Sequence, residues 1–402
     1  VQLTAASIRF PTTHEQETSL NPTTRLFAAL AVAFGASSAA QADITIGVSL
    51  PLTGPTSALG IPCKNGIMLW PTSVAGEKLN VIILDDATDP TQGVKNARRF
   101  VTEDHVDLIL GSAATPIAVA MAPVAAEAHT VQLSLSPMPP LPEGKDAWTF
   151  RLPQSTAVMA IPIVDYWKKT GVKTYGFLGY TDSYGESWLT DITAAADKAG
   201  IKRIDVERFA RPDTSVTGQA LKLVQANPDA ILIVASGSGA AMPHKGLVER
   251  GYPKSKLFQT HGAASLDLIR VGGKDVEGSF VASGPATVGD LLPDSNPSKK
   301  LAMQYAADYD KAYGAKSANQ FGGHVFDAYI LLQHIVPEAL KKGKPGSAEF
   351  RAALKTALET EGRVPVSQGV LDYTATDHFG FTPDTGVLLT IENGNWKLVN
   401  TH

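Results

Sequence analysis

The sequence predicts an α/β protein of two lobes, each a mostly parallel sheet flanked by helices. Three observations carry that prediction. Strand and helix alternate from Ile44 to about residue 137, five prolines between 137 and 153 interrupt the pattern, and a second alternating series begins near Thr156. Such alternation marks parallel sheets. A chain of 402 residues with 44% hydrophobic and 18% charged residues is large enough for two cores and has the composition of a globular protein. The net charge of −4 leaves no basic footprint for nucleic acid or a membrane surface.

Residues 23–42 contain Arg25, an eleven-residue apolar run from Leu26 to Ala36, and Ala40-Gln41-Ala42. That is the layout of a secretory signal peptide, with cleavage expected after Ala42 and a periplasmic location for the remainder. The run is too short to span a bilayer. Residues 1–24 are polar and patternless and are assigned no fold. Cys63 is the single cysteine, so an intrachain disulfide is impossible, and it does not follow the expected cut as a lipid-acylated cysteine would.

In the first series, strands are expected at 44–48, 79–84, 108–110 and 131–135, with helices at about 59–75, from Pro90, and at 115–128. The helix from Pro90 presents Val94, Ala97, Phe100 and Val101 on one apolar face. In the second series, strands are expected at 173–178, 201–209, 229–235, 256–259 and 278–282. Residues 294–360 read as three helical segments. The end reads as strand over 364–373 and 387–399, with Glu392-Asn393-Gly394-Asn395 as a hairpin turn. The division that follows is 1–42 for upstream residues and signal peptide, 43–152 plus 285–362 for lobe 1, and 153–284 plus 363–402 for lobe 2.

The stretch 107–137 forms a parallel βαβ unit, so both of its strands end on the same sheet edge. Small residues crowd that edge: Gly111, Ser112, Ala113, Ala114 and Thr115 after the first strand, Ser134 and Ser136 at the end of the second. Ligands sit outside the carboxyl ends of strands in open α/β sheets, and a helix N-terminus attracts anions. Thr115 before Pro116 reads as a hydroxyl N-cap followed by proline at the first helical position. The edge fits a carboxylate cradle; an ordinary capped helix fits these residues equally well.

Several chemistries are missing. Gly237-Ser238-Gly239 follows a strand, but Met242 stands where a dinucleotide fingerprint needs its third glycine. There is no phosphate-binding P-loop, no zinc-protease helix and no nucleophile elbow. His261 and His324 lack a third ligand at metal-site spacing. The sequence therefore predicts no enzyme, no cofactor and no metal.

The motifs ITIGVSLPLTGP, LDDATDP, NARRF, GSAATP and SLSP, with Tyr184-Gly185-Glu186, fall in the order and spacing of one family. From Asp43 to about Asn400 the chain resembles the periplasmic solute-binding proteins of branched-chain amino-acid type ABC importers. The resemblance implies two Rossmann-like lobes joined by a three-strand hinge (type I periplasmic binding protein), closing on a small ligand. It implies a monomer that docks on a membrane permease with its ATPase. Carried over residue by residue, Thr115 matches the hydroxyl that binds the ligand carboxylate, and Ser136 the position whose backbone also reaches it. Tyr184 matches a wall residue from the second lobe; Leu59, Met138, Ser236 and His324 match further lining positions, with Phe321 close by and Ala113 and Ser134 in the cradle.

The sequence departs from the family at two places. Amino-acid binders of this type carry a glutamate after the strand that is here 256–259, where it meets the ligand's ammonium; this chain has Thr260-His261-Gly262. Thr88 and Ala114 stand where the family's disulfide cysteines would be. The first departure predicts a carboxylate ligand without an α-amine, aromatic or hydroxylated, with His261 near its far end. The alternatives are an aliphatic amino acid, its ammonium received by another acid such as Asp182, and a ligand sensor for a membrane receptor.

Overall fold

The computed structural model describes residues 43–399, and the expected signal peptide lies outside them. The first sheet is built on β1 (Ile44–Leu50), whose Ile46, Val48 and Leu50 are fully buried. An 11-residue helix α1 (Ser57–Ile67) follows. The helix expected to reach residue 75 stops early because Pro71 cannot continue it, and β2 (Ser73–Val74) instead pairs antiparallel with β3 (Glu77–Asp85). Asp89 caps α2 (Pro90–Thr102) by accepting from the Thr91 amide, with Pro90 in the first turn as expected. Then come β4 (Leu108–Gly111), α3 (Thr115–Glu127), β5 (Val131–Ser134) and β6 (Thr149–Arg151). Sheet order is β2-β3-β1-β4-β5-β6, parallel except at β2. No strand was expected at β6. Three residues beside a proline-rich stretch are too few to show a period.

The second sheet takes α4 (Thr156–Thr170), β7 (Thr174–Tyr180), α5 (Ser183–Lys198), β8 (Lys202–Phe209), α6 (Thr217–Ala226) and β9 (Ala230–Val234). It continues with α7 (Ala241–Val248), β10 (Leu257–Gln259), α8 (Leu266–Gly272) and β11 (Phe280–Ser283). Its core is aromatic: Trp167, Tyr175, Phe177, Trp188 and Phe258 are all buried. Three helices follow, as expected: α9 (Lys299–Tyr313), α10 (Gln320–Leu340) and α11 (Ala348–Thr360). The apolar face of α10, with Val325, Ala328, Leu332 and Ile335, closes the first lobe's core.

The chain then forms β12 (Val364–Val366) and β13 (Gly369–Leu371), an antiparallel hairpin. Val364, Val366 and Leu371 bury in the first lobe's core, so this hairpin packs with lobe 1 and not with lobe 2, where the division at 363 put it. Its apolar residues were legible, but which core they enter is a tertiary fact. Only β14 (Val387–Glu392) and β15 (Asn395–Leu398) join the second sheet, whose order is β15-β14-β11-β10-β9-β7-β8. Their turn is the expected one: Asn393 and Gly394 both have positive φ, which suits a tight hairpin.

The chain passes between the lobes three times, and the turn of the β12–β13 hairpin sits at the meeting point. Gln154, in the first crossing, donates to the Gln368 carbonyl at 2.7 Å. In the second, a Cβ on Gly284 would fall 2.0 Å from Gln368 Oε1, and beside the third a Cβ on Gly369 would fall 2.5 Å from Thr385. Buried Asp327 of α10 anchors the turn by accepting from the amides of Ser367 (2.7 Å) and Gln368 (3.1 Å).

One glycine beside the cleft is required by packing. A Cβ on Gly185, in the first turn of α5, would lie 1.8 Å from the Tyr180 carbonyl oxygen that ends β7. Gly185→Ala is therefore expected to cost about 1–3 kcal/mol, since backbone must move to admit the methyl. A urea titration should show a lower midpoint at unchanged slope; an unchanged midpoint would contradict this packing.

Candidate ligand-binding site

A narrow cavity of about 20 Å³ lies between the two lobes at the carboxyl ends of both sheets' strands. On the first-lobe side its wall begins with the loop from Gly111 to α3. Asp86, buried at the end of β3, accepts from Ser112 Oγ at 2.7 Å and from the Thr88 amide at 3.1 Å. Ser112 Oγ in turn accepts from the Ala114 amide at 3.2 Å, so a buried carboxylate braces the loop. Burial pushes the Asp86 carboxyl up to about 6, against these donations.

Thr115 is not the N-cap. Ala114 holds that position with extended backbone (φ −103°, ψ 122°), and Thr115 is the first residue of α3. The shift matters because a capping hydroxyl would be occupied by its own helix. Among the described residues the Thr115 hydroxyl makes no hydrogen bond, and it lines the cavity beside Ala113.

Ser134 and Met138 are corrected as lining residues, and the side chain of Ser136, expected to act through its backbone, does not line the cavity. Ser134 Oγ donates to the Ser136 carbonyl (2.9 Å) and accepts from the Ser136 amide (3.2 Å), while Met138 packs on Ala118 and Ala122. Leu135 and Pro137 face the cavity instead. Side chains alternate along extended chain, so an offset of one residue turns these three side chains away.

On the second-lobe side, Asp182 caps α5 by accepting from the amides of Tyr184 (2.9 Å) and Gly185 (3.3 Å). Its other oxygen accepts from Arg211 Nε at 2.5 Å. Asp182 is thus committed to a helix and a cation, and it is not among the cavity's lining residues. The Tyr184 hydroxyl accepts from the Gly262 amide at 3.2 Å and contacts Thr260 Oγ1 at 2.8 Å, tying α5 to the loop after β10.

His261 and His324 both line the cavity. His261 sits among Trp188 and Tyr184, with ring centroids 5.6 and 6.0 Å away, and neither of its ring nitrogens has a partner among the described residues. Burial pushes its pKa down to about 3. His324 is pushed to about 3 as well, by burial and then by neighbouring His261. Gln368 Nε2 donates to the Gln320 carbonyl at 3.1 Å, which identifies it as the amide nitrogen; it lies 3.4 Å from His324 Nδ1. His324 Nδ1 thus faces an amide donor, which favours the tautomer with its proton on Nε2. The described residues hold no cluster of three possible metal ligands.

Leu59, Ser236 and Phe321 line the cavity as expected, so eight of the eleven candidate residues converge there. Sequence reading missed Arg211, Gln320, Gly262, Leu135, Pro137 and Pro153. Arg211 carried a usable signal, since it stands two residues beyond the carboxyl end of β8, on the edge where ligands bind. It is the one charged residue among those lining the cavity, and no carboxylate lines it. Cys63 lies in the first core with its thiol against the Phe321 carbonyl, and burial pushes its pKa far up.

Two α/β lobes enclosing a small, mostly apolar cavity at the ends of their strands define a solute-binding protein. The chain belongs to the periplasmic binding protein family, whose model matches residues 43–386. It has the type I fold of that family, and it is a binding protein, not an enzyme. It is similar to an extracellular ligand-binding receptor from Rhodopseudomonas palustris, with 46% identity, a TM-score of 0.87, and coverage of 90% of this chain and 100% of the other. It is 26% identical to Leu/Ile/Val-binding protein homolog 3 of Brucella melitensis, over 87% of this chain and 92% of that one. A solute binding protein of R. palustris, solved in complex with benzoate, shares the fold at a TM-score of 0.74 and 16% identity, with 89% and 96% covered.

The neutral histidines have a pH signature. Their folded pKa values lie below the unfolded value near 6.5, so below that pH the unfolded chain binds protons that the folded one refuses, and stability falls as pH falls. Asp86 and Asp327, raised to about 6 and about 7, act in the opposite sense. The comparison that isolates the histidines is ligand-free His261→Gln/His324→Gln against wild type. Its melting temperature relative to wild type should rise between pH 7 and pH 5; a difference that stays constant would contradict their neutrality.

Proposed function

We propose that the protein captures a small carboxylate lacking an α-amine, aromatic or hydroxylated, and presents it to the permease and ATPase of an ABC importer. One observation carries the reading: the cavity is lined by no acid, and its one charged side chain is a cation. An ammonium shut into this cleft would shed water with no counter-charge to replace it, at a cost of several kcal/mol. A carboxylate meets the Thr115 hydroxyl and the N-terminus of α3 instead. The apolar walls of Leu59, Leu135, Phe321 and Tyr184 suit a ring or a branched chain. Residues 23–42 are the export signal in this reading, and the mature protein works as a monomer in the periplasm.

The name of the Brucella relative favours a second reading, a branched aliphatic amino acid. It requires an acid at the ammonium, and Asp182 already serves Arg211 and the α5 amides.

A thermal-shift screen of amino acids against aromatic and aliphatic carboxylates decides between the two. The acids should raise the melting temperature, by the equivalent of about 2.7 kcal/mol at a hundredfold excess over Kd, while leucine, isoleucine and valine at millimolar concentration shift it little. Thr115→Ala should weaken the best acid about ten- to a hundredfold by removing a charge-assisted bond. A response to leucine alone would return the assignment to amino-acid binding.

A further inference from the structure

We infer that Arg211 reads a second oxygen on the ligand, so that the bound molecule carries a carboxylate at the Thr115 end and an acceptor oxygen, a hydroxyl or a second carboxylate, at the Arg211 end. The inference rests on the amine-free carboxylate reading and extends it to the ligand's far end.

The guanidinium is held by its surroundings. Nε donates to Asp182 at 2.5 Å, Nη1 donates to Ser236 Oγ at 3.0 Å, and the group lies 4.2 Å over the Tyr180 ring. The side chain is only 10% exposed. An arginine has five N–H donors, and two are used here, so most of the Nη edge is unfilled among the described residues while the group lines the cavity. The remaining N–H groups are free to meet a ligand oxygen in charge-assisted hydrogen bonds. Arginine has no acceptor, so the ligand atom must be an acceptor oxygen and not a donor group.

Arg211 and Thr115 belong to different lobes. Thr115 belongs to the first lobe, and His324 with Gln320 lies beside the Gln368 turn where the crossings meet. Arg211 sits in the second lobe on Ser236, next to Gly237, where a Cβ would fall 2.9 Å from Ala58 and 3.0 Å from Leu59 of the first lobe. The lobes therefore touch at this corner. A ligand that satisfies both Thr115 and Arg211 bridges the lobes where they close, so the length between its two oxygens sets how well closure is rewarded.

The test pairs a ligand change with a residue change. 3-Phenylpropanoate is compared with its ring 4-hydroxy and 4-carboxy derivatives, and hexanoate with adipate, by titration calorimetry on wild type, Arg211→Met and Arg211→Lys. In wild type the better distal oxygen should strengthen binding at least tenfold over its parent. In Arg211→Met the gain from the distal oxygen over the parent acid should fall below threefold. Arg211→Lys keeps a charge beside Asp182 but loses the fork, so the gain should shrink there too, and this variant decides the matter if the methionine variant is unstable. Three outcomes overturn the inference: no distal gain in wild type, a full gain retained in the lysine variant, or equal weakening of parent and derivative, which would place a single carboxylate between Thr115 and Arg211. In each of these the parent acids still bind and the amine-free reading stands. If no acid binds and amino acids do, both fall.

Discussion

One buried hydrogen-bonded cluster holds the two lobes in register, and the site is built on it. Asp327 fixes the turn at Ser367 and Gln368, Gln154 ties the first crossing to the Gln368 carbonyl, and the Gln368 amide reaches Gln320 and His324 in the cavity wall. Burial pushes the Asp327 carboxyl up to about 7 in spite of its two amide donors, so this anchor carries a real desolvation cost. The arrangement persists because backbone amides at a crossing would otherwise be buried without acceptors. The same cluster that joins the lobes thus reaches a histidine of the cavity wall.

The cavity's electrostatics follow from where its acids are spent. Asp86 braces the loop below Thr115, Asp182 caps α5 and holds Arg211, and Asp327 anchors the hinge turn. Each of these carboxylates does structural work behind the wall, and none lines the cavity. What remains in the wall is the Thr115 hydroxyl at a helix N-terminus, two neutral imidazoles, a guanidinium, the Tyr184 and Ser236 hydroxyls and the Gln320 amide, whose Oε1 has no partner among the described residues. Such a surface attracts electron-rich oxygen and has nothing with which to neutralise an ammonium.

Much of this was legible in the residues. Strand and helix alternation gave both sheets, because burial on two faces makes parallel strands continuous apolar runs, as in Leu108–Gly111 and Ala230–Val234. The cradle at Thr115 was legible from strand ends and small residues. Local signals failed where tertiary contacts decide. Thr149–Arg151 is a strand because β5 offers it an edge, and Val364–Leu371 belongs to the first core because Asp327 reaches its turn. Ser134 and Met138 were misplaced by one step of side-chain alternation, which no composition reveals. Arg211 went unread because Arg211-Pro212-Asp213 looks like a solvated turn until Asp182 and Tyr180 are seen to hold it.

The central claim is that the closed cleft rejects an α-ammonium and accepts the acid without it. Titration calorimetry on matched pairs that differ only in that group tests it most directly: 3-phenylpropanoate against phenylalanine, and 4-methylpentanoate against leucine. Missing counter-charge predicts that the amine-free member of at least one pair binds ten times or more tightly than its amino acid, about 1.4 kcal/mol for each factor of ten. Tighter binding of the amino acid in both pairs would contradict the account.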